Sequence, residues 1–219
     1  GRFVSSLSAE LDRALESGKK GVVLTGKEGF FSAGLDLRGL PEEREEMGAF
    51  IDSFEKLNRK LLELPLPLVT AVNGHAIAGG CILASTGDIR IGAAGSYKIG
   101  VSEVTLGIVF PASAFETMRA TLTPRFVPEV LLGARLLDPE SAVEAGILHR
   151  VVAPDRLLVE AEAAARELGE KPPLAFRHHA VRAGGKPRRC FCSPVHGWGM
   201  IDPPVAPGKI RVRAVIEGG

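Results

Sequence analysis

Residues 68–93 of the chain read LVTAVNGHAIAGGCILASTGDIRIGA, and their pattern is the strongest indication of the fold class. It begins with an apolar, partly β-branched run, Leu68–Val72, which predicts a buried strand that turns at an Asn-Gly pair. The glycines of Ala78-Gly79-Gly80 then lead into an apolar helix at 81–86, and a further strand follows at 88–91. Strand, glycine turn, helix and strand in this order predict an α/β fold with mostly parallel strands.

The same alternation extends on both sides of this stretch. Leucines at four-residue spacing in 5–17 predict an amphipathic helix, and the apolar run at 22–25 predicts a buried strand. A glycine-rich loop, 26–39, precedes a helix that begins near Pro41 and ends at about Leu64. Further along the chain we expect strands at 97–99 and 149–152, and helices around 113–122, 128–132, 139–145 and 157–168.

Length, charge and cysteine content narrow the functional class. The 219 residues, with a mass of 23.2 kDa, suit one large domain or a domain with an appendage. Lys plus Arg is 27 and Asp plus Glu is 26, so no basic field favours a nucleic-acid partner. The apolar runs are shorter than the roughly 18 residues of a membrane span, so we expect no membrane partner. Three unevenly placed cysteines indicate a reducing compartment.

Residues 184–209 break the α/β pattern. Five Gly and five Pro fall in this window, which predicts an irregular segment, and 211–217 then suit a short regular element. Cys190, Cys192 and His196 lie in the window and resemble part of a metal cluster. A structural zinc site normally has four ligands, and no fourth is evident, so we expect no metal.

Two glycine-rich turns, each after a buried strand, are the candidate site. The first is FFSAGLDL at 30–37 and the second is NGHAIAGGC at 73–81. Because glycine has no side chain, it leaves the peptide N–H groups accessible. The second turn leads into a helix N-terminus, which favours the binding of an anion. Two such turns can aim two N–H groups at one developing negative oxygen, as in an oxyanion hole. The alternative is that the glycines only close strand–helix packing. Neither stretch has dinucleotide or P-loop spacing.

The chain resembles the crotonase (enoyl-CoA hydratase/isomerase) superfamily from about Leu7 to Leu168. The motifs that carry the resemblance are VVLTG, FFSAGLDL, AVNGHAIAGGC, GDIRIGA, GVSEVTLGI and EAGILHRVV. FSAGLDL and the GVSE segment are most similar to mitochondrial-type Δ3,Δ2-enoyl-CoA isomerases. The resemblance implies a crotonase-type spiral of ββα units with a C-terminal helical region. It also implies an acyl-CoA substrate and no cofactor, since coenzyme A is part of the substrate.

The resemblance assigns roles to individual residues. The oxyanion hole would use the backbone N–H groups of Leu35 and Gly79 on the thioester carbonyl, and Glu103 would be the catalytic acid/base. The substrate would be bound by the surrounding turn residues, which are Ser32, Ala33, Gly34, Asp36, Gly80 and Ser102. Hydratases of the family have a second glutamate, and that position is Ile82 here. The pattern therefore implies an isomerase that shifts a 3-enoyl to a 2-enoyl double bond.

Several alternatives stay open. Glu103 has apolar neighbours in sequence, which would raise its pKa on burial, although a surface glutamate is the commoner case. His75 would line the pocket or be an ordinary turn residue, and Cys81 is expected to be a small buried residue rather than a reactive thiol. The reaction could be another crotonase reaction, such as hydration, hydrolysis or decarboxylation. A non-catalytic acyl-CoA-binding oligomer is the alternative from a different class.

The resemblance also divides the chain. It implies a spiral core over residues 1–153, with an incomplete first unit because the chain starts at Gly1, and a C-terminal helical and oligomerisation region over 154–219. Family members of this kind lead us to expect a homotrimer or a dimer of trimers. A cytoplasmic location is expected, or a mitochondrial matrix or peroxisomal one if the source is eukaryotic.

Overall fold

The computed structural model describes residues 2–27, 29–34, 44–182 and 210–215. A 3₁₀ turn, Glu103–Leu106, and short helical turns at Pro124–Phe126, Pro128–Leu132 and Pro154–Arg156 supplement the regular elements. In chain order the helices and strands are α1 (Arg2–Glu16), β1 (Gly21–Gly26), β2 (Phe30–Ser32), α2 (Arg44–Leu62), β3 (Leu68–Val72), β4 (His75–Ile77), α3 (Gly79–Ser85), β5 (Ile89–Ala93), β6 (Ile99–Gly100), α4 (Ala112–Thr121), α5 (Pro139–Glu144), β7 (Arg150–Val152), α6 (Leu157–Gly169), α7 (Pro173–Arg182) and β8 (Ile210–Val215).

The strands form two sheets, as the predicted spiral requires. The larger sheet has the order β7-β5-β3-β1-β8 and the smaller has the order β2-β4-β6. Neighbours are parallel except β8, which is antiparallel to β1. From β1 to β7 successive strands alternate between the sheets, so β1-β2-α2 and β3-β4-α3 are two ββα units, and β5-β6 starts a third. The crotonase-type α/β spiral is thereby confirmed.

Both faces of the larger sheet are covered, which explains its continuous apolar strands. On one face Val22, Leu24, Leu68 and Val72 belong to the main core, shared with helices α1 to α5. On the other face Val23, Val69, Ala71 and Ile91 pack on α6 through Leu157, Ala161 and Ala165. The alternation of the two sets along each strand follows from the two-residue period of a strand.

A buried arginine joins the sheet to the segment before β7. The Arg90 guanidinium donates hydrogen bonds to the carbonyls of Gly87, Gly146 and Ile147, at 2.8–3.1 Å. The Arg90 backbone N–H donates to Nδ1 of His149 at 2.9 Å. Partial burial and the neighbouring arginines lower the pKa of His149 to about 4, so this imidazole accepts as a neutral ring. Arg90 of the GDIRIGA motif therefore has a structural role.

The elements differ from the predicted ones in several places. β2 lies within the predicted glycine-rich loop 26–39. β4 is too short for an alternating pattern to predict it, and α3 begins at Gly79 instead of residue 81. The expected strand at 97–99 pairs only over Ile99–Gly100, because Tyr97 is buried and its hydroxyl donates to the Ala93 carbonyl at 2.6 Å. α7 has no apolar stripe that would have predicted it, and its Leu174 is exposed.

Of the two predictions for the C-terminal part of the chain, one falls on residues that the structure describes and the other does not. The short element expected at 211–217 is β8, at the edge of the larger sheet beside β1. The segment 184–209 lies outside the described residues, and so do Cys190, Cys192 and His196. Across the part of the chain that the structure describes, no helix has the length and apolar character that crossing a bilayer demands.

Candidate active site

The two glycine turns lie side by side, held by backbone packing. The Gly26 N–H donates to Oδ1 of Asn73 at 3.0 Å, which joins the end of β1 to the end of β3. A Cβ on Gly74 would lie 1.5 Å from the Gly29 carbonyl oxygen, so only glycine allows this approach. Two loops that are distant in sequence are thus fixed against each other.

Further along, the turns meet at Gly34 and Gly79. A Cβ on Gly34 would lie 3.1 Å from the Gly79 nitrogen and 2.9 Å from the Ile77 oxygen, and the φ of Gly34 is +87°. A Cβ on Gly80 would lie 2.1 Å from the Ser32 oxygen. The Gly34 N–H donates to the Ser32 hydroxyl at 3.2 Å, which holds the first turn. The glycines permit contact of the two turns, as the motifs predicted.

Ala78 has a backbone conformation that L-residues rarely adopt. Its φ is 54° and its ψ is −129°, close to the first central position of a type II′ turn, where glycine is favoured. Holding such a conformation costs about 1–3 kcal/mol. The Ala78 carbonyl accepts from the N–H groups of Cys81 and Ile82, which starts α3. The strain therefore lies immediately before the Gly79 N–H.

Phe54 of α2 closes the opposite side of the second turn. Its ring atoms Cε2 and Cζ would lie 3.3 Å from a Cβ on Gly79, and the side chain is 3% exposed. Beneath the turn, α3 is buried along its whole length from Gly79 to Ser85. The Gly79 peptide, at the start of this buried helix, therefore lies against an aromatic ring. In such surroundings a hydrogen bond is stronger than in water.

Glu103 is a buried carboxylic acid on the segment that follows β6. It is 7% exposed and its Oε2 accepts the Ser102 N–H at 2.9 Å. Burial raises the pKa of Glu103 to about 7, and the hydrogen bonds from the Glu103 and Ser102 backbone partly oppose that rise. Of the two alternatives that the sequence left open, a buried and a surface glutamate, the structure has the buried one. A carboxyl with this pKa exchanges protons readily near neutral pH.

The segment that carries Glu103 is hydrogen-bonded directly to the second turn. The Ala78 N–H donates to the Gly100 carbonyl at 2.9 Å, and β4 pairs with β6 through Ala76–Ile99 and Ile77–Gly100. Cys81, at the start of α3, is close enough to Glu103 that the negative carboxylate contributes to raising the pKa of the thiol, after burial. Glu103 and the glycine turns thus belong to one hydrogen-bonded region.

Ile82 lies beside this region, and its apolar side chain has no proton to exchange. It is 1% exposed and is part of the main core. Within the described residues the only strongly buried carboxylic acid is Glu103. The described part of the chain also holds no group of three metal-ligating side chains.

Comparison with known proteins agrees with this geometry. The family model described as enoyl-CoA hydratase/isomerase matches residues 3–183. A Thermus thermophilus protein named putative enoyl-CoA hydratase is 34% identical over 179 residues, covering 80% of this chain and 70% of the relative. The chain belongs to the enoyl-CoA hydratase/isomerase family. Human mitochondrial enoyl-CoA delta isomerase 1 is 36% identical over 155 residues, which cover 68% of this chain and 51% of the human protein.

Solved structures of the enoyl-CoA hydratase/isomerase family superpose on the chain. A family member from Pseudomonas syringae has a TM-score of 0.77 at 30% identity, with 82% of this chain and 78% of the other covered. Human mitochondrial Δ3-Δ2-enoyl-CoA isomerase has a TM-score of 0.75 at 30% identity, covering 84% and 74%. The chain thus spans between about half and about three quarters of the length of these four proteins.

For this family member, the structure describes most of the predicted site. Ser32, Gly34, Gly79 and Gly80 come together at the junction of the two turns, with Ala33 between Ser32 and Gly34. Ser102 contacts Glu103 through its backbone N–H. Leu35 and Asp36 lie outside the described residues. The role of each residue in turnover stays a prediction.

Three residues at the site were not predicted from sequence. Phe54 was assigned only to the apolar face of α2, and Asn73 only to a turn. Ala78 is an alanine in a run of small residues, and nothing in sequence signals its positive φ. His75, weighed as a pocket residue, lies in β4, where it stacks on Phe30 at 5.0 Å between ring centroids.

Proposed function

We propose that this chain isomerises 3-enoyl-CoA to 2-enoyl-CoA thioesters, with Glu103 as the sole acid/base. The observation that carries the proposal is the pairing of a buried carboxyl, whose pKa is about 7, with an apolar Ile82 at the second family position. Moving a double bond needs one group that removes a proton and returns it. Adding water needs water activation as well, which in this family involves a second carboxylate.

The proposed reaction conserves protons and electrons. Glu103 as carboxylate takes a proton from C2 of the 3-enoyl thioester, and the C–H electron pair delocalises into a dienolate with negative charge on the thioester oxygen. The protonated Glu103 then returns the proton at C4. A double bond between C2 and C3 and the carbonyl reform, and the carboxylate is restored. One general acid/base of this kind contributes about 10²–10⁴-fold.

The oxyanion would be stabilised by backbone donors. Gly79 provides one N–H at the start of α3, where the helix dipole also favours negative charge. By the family pattern the other donor is Leu35, next to Gly34. Each such donor is worth about 2.7–4 kcal/mol of barrier. As proposed, coenzyme A is part of the substrate and the reaction takes no separate cofactor.

Hydration of a 2-enoyl-CoA is the second candidate, because named relatives include an enoyl-CoA hydratase. The test is to incubate the chain separately with a 3-enoyl-CoA and a 2-enoyl-CoA. The proposal expects the conjugated 2-enoyl product from the first substrate and little loss of conjugation with the second. Rapid loss of conjugation from the 2-enoyl-CoA, without isomerisation of the 3-enoyl-CoA, would replace the isomerase with a hydratase.

A further inference from the structure

Ala78 contacts three parts of the site at once. Its N–H donates to the Gly100 carbonyl, three residues before Glu103. Its carbonyl accepts the N–H groups of Cys81 and Ile82 in α3. A Cβ on Gly34 would lie 3.0 Å from the Ala78 Cβ, so the Ala78 methyl faces the first turn. Ala78 therefore links both glycine turns to the segment that carries Glu103.

The conformation of Ala78 is the second observation. At φ 54° and ψ −129° a glycine would be unstrained, whereas an alanine is not. The fold would thus be easier to form with glycine at this position. What alanine adds is a methyl group against Gly34 and a smaller set of backbone conformations. A glycine here would create three consecutive glycines, 78–80, directly at the Gly79 donor.

We propose that Ala78 is a positioning residue, whose methyl and restricted backbone hold the Gly79 N–H in register with the Gly34 turn and with Glu103. The inference rests on the proposed function, because it assumes that the Gly79 N–H binds the thioester oxygen. Ala78 itself touches no reacting atom. It acts by reducing the conformations open to the second turn, so the donor is in place before the dienolate forms.

The structure offers a matched control. Ala134 is the other non-glycine residue with positive φ among those described, at 48°, and it lies in the loop after the helical turn Pro128–Leu132. Ala78→Gly and Ala134→Gly are the same chemical change, and both relieve strain. We expect neither to lower the melting temperature. Only Ala78→Gly is expected to lower kcat, by about tenfold, with KM little changed, because misplacement of catalytic groups costs rate.

A spectroscopic readout separates positioning from general stability. 2,4-Hexadienoyl-CoA absorbs at longer wavelength when its thioester oxygen accepts hydrogen bonds, and this shift needs no turnover. We expect a clear shift with the parent and with Ala134→Gly, and a smaller shift with Ala78→Gly at saturating probe. A full shift and normal kcat in Ala78→Gly would overturn the proposal, and so would a lower melting temperature than that of Ala134→Gly.

Failure of the proposed function gives a different result. If the parent shows no ultraviolet shift, the oxyanion hole itself is wrong, and the assignment of Ala78 falls with it. If the parent shifts the probe but does not isomerise a 3-enoyl-CoA, the proposed reaction is wrong. The comparison of shifts between Ala78→Gly and the parent then still decides the role of Ala78.

Discussion

Gly34 and Gly79, 45 positions apart in sequence, are separated by less than the space that one methyl group needs. A Cβ on Gly34 would lie 3.1 Å from the Gly79 nitrogen, the atom whose N–H we propose as an oxyanion donor. The neighbouring Ala78 methyl and Ile77 oxygen are equally close, so no flexible side chain can yield. This contact makes the two turns a single structure.

The Gly34–Gly79 contact is tested by Gly34→Ala. The added methyl must push the second turn away, and the φ of +87° adds strain. We expect steady-state activity to fall by about 10²-fold, as for loss of one oxyanion donor. Gly18→Ala is the control, because Gly18 also has positive φ but open space around it. It should lose some stability by strain and keep its activity; equal activities in the two variants would dismiss the contact as unimportant.

The Gly79 N–H can be removed while the helix is kept. Gly79 is the first residue of α3, the position where proline is best tolerated in a helix. Gly79→Pro should therefore retain the circular dichroism of the parent and lose kcat by about 10²–10³-fold. Gly79→Ala brings a methyl to 3.3 Å from the Phe54 ring but keeps the N–H. Because it keeps the N–H, it should be far more active than Gly79→Pro. Comparable kcat values for the two variants would exclude Gly79 as a donor.

Glu103 is expected to set the pH dependence of turnover. Its pKa of about 7 means that the carboxylate, the form that removes the C2 proton, becomes dominant above neutral pH. We expect kcat/KM to rise about tenfold per pH unit below pH 7 and to level above it. Glu103→Gln should bind substrate and lose at least about 10²-fold in kcat. Near-normal turnover in that variant would reject the role of Glu103.

The same raised pKa predicts that Glu103→Gln is more stable than the parent at alkaline pH. The ordinary pKa of 4.5 applies to the unfolded chain, so between pH 4.5 and about 7 the folded state binds more protons. The stability of the parent therefore falls as pH rises through this window, whereas the stability of Glu103→Gln does not, because Gln has no proton to lose. The gain is at most roughly 3 kcal/mol, at about 1.4 kcal/mol per pKa unit. Denaturant melts should show that Glu103→Gln is more stable than the parent at pH 8 and not at pH 5. The same difference in unfolding free energy at both pH values would contradict the burial argument.

Ile82→Glu should introduce slow hydration of a 2-enoyl-CoA. It places a second carboxyl three residues after Gly79 in α3, on the helix that starts at the second turn. Two nearby carboxyls cannot both ionise easily, so one stays protonated and can donate to the substrate. The variant loses stability, because an apolar core residue becomes a buried acid, which is unfavourable unless the acid is paired.

The control for Ile82→Glu is Leu83→Glu, at an equally buried position one residue further along α3. Both variants should be destabilised, which thermal melts measure. Only Ile82→Glu should slowly remove the absorbance of the conjugated 2-enoyl thioester. A folded Ile82→Glu that binds the substrate without hydrating it would show that residue 82 does not face the reacting carbons, and Glu103 would be unaffected by that result.

The order of the larger elements follows from local patterns of residue type. Continuous apolar runs such as Leu68–Val72 must be buried on both faces, because no alternation leaves a polar side for water. Glycine pairs after such runs indicate turns with accessible N–H groups. These features are local, so spacing and residue type suffice to predict them, whereas Glu103 was assigned through the resemblance to the crotonase superfamily.

The way in which these local features meet depends on the packing of segments that are distant in sequence. β4 and β6 are too short to have a pattern of their own, and they exist because neighbouring strands complete their hydrogen bonds. The pKa of Glu103 depends on burial by distant segments, and the contact of Gly34 with Gly79 depends on two loops from different ββα units. The positive φ of Ala78 is likewise imposed from outside, since local preference opposes it and the surrounding hydrogen bonds hold it.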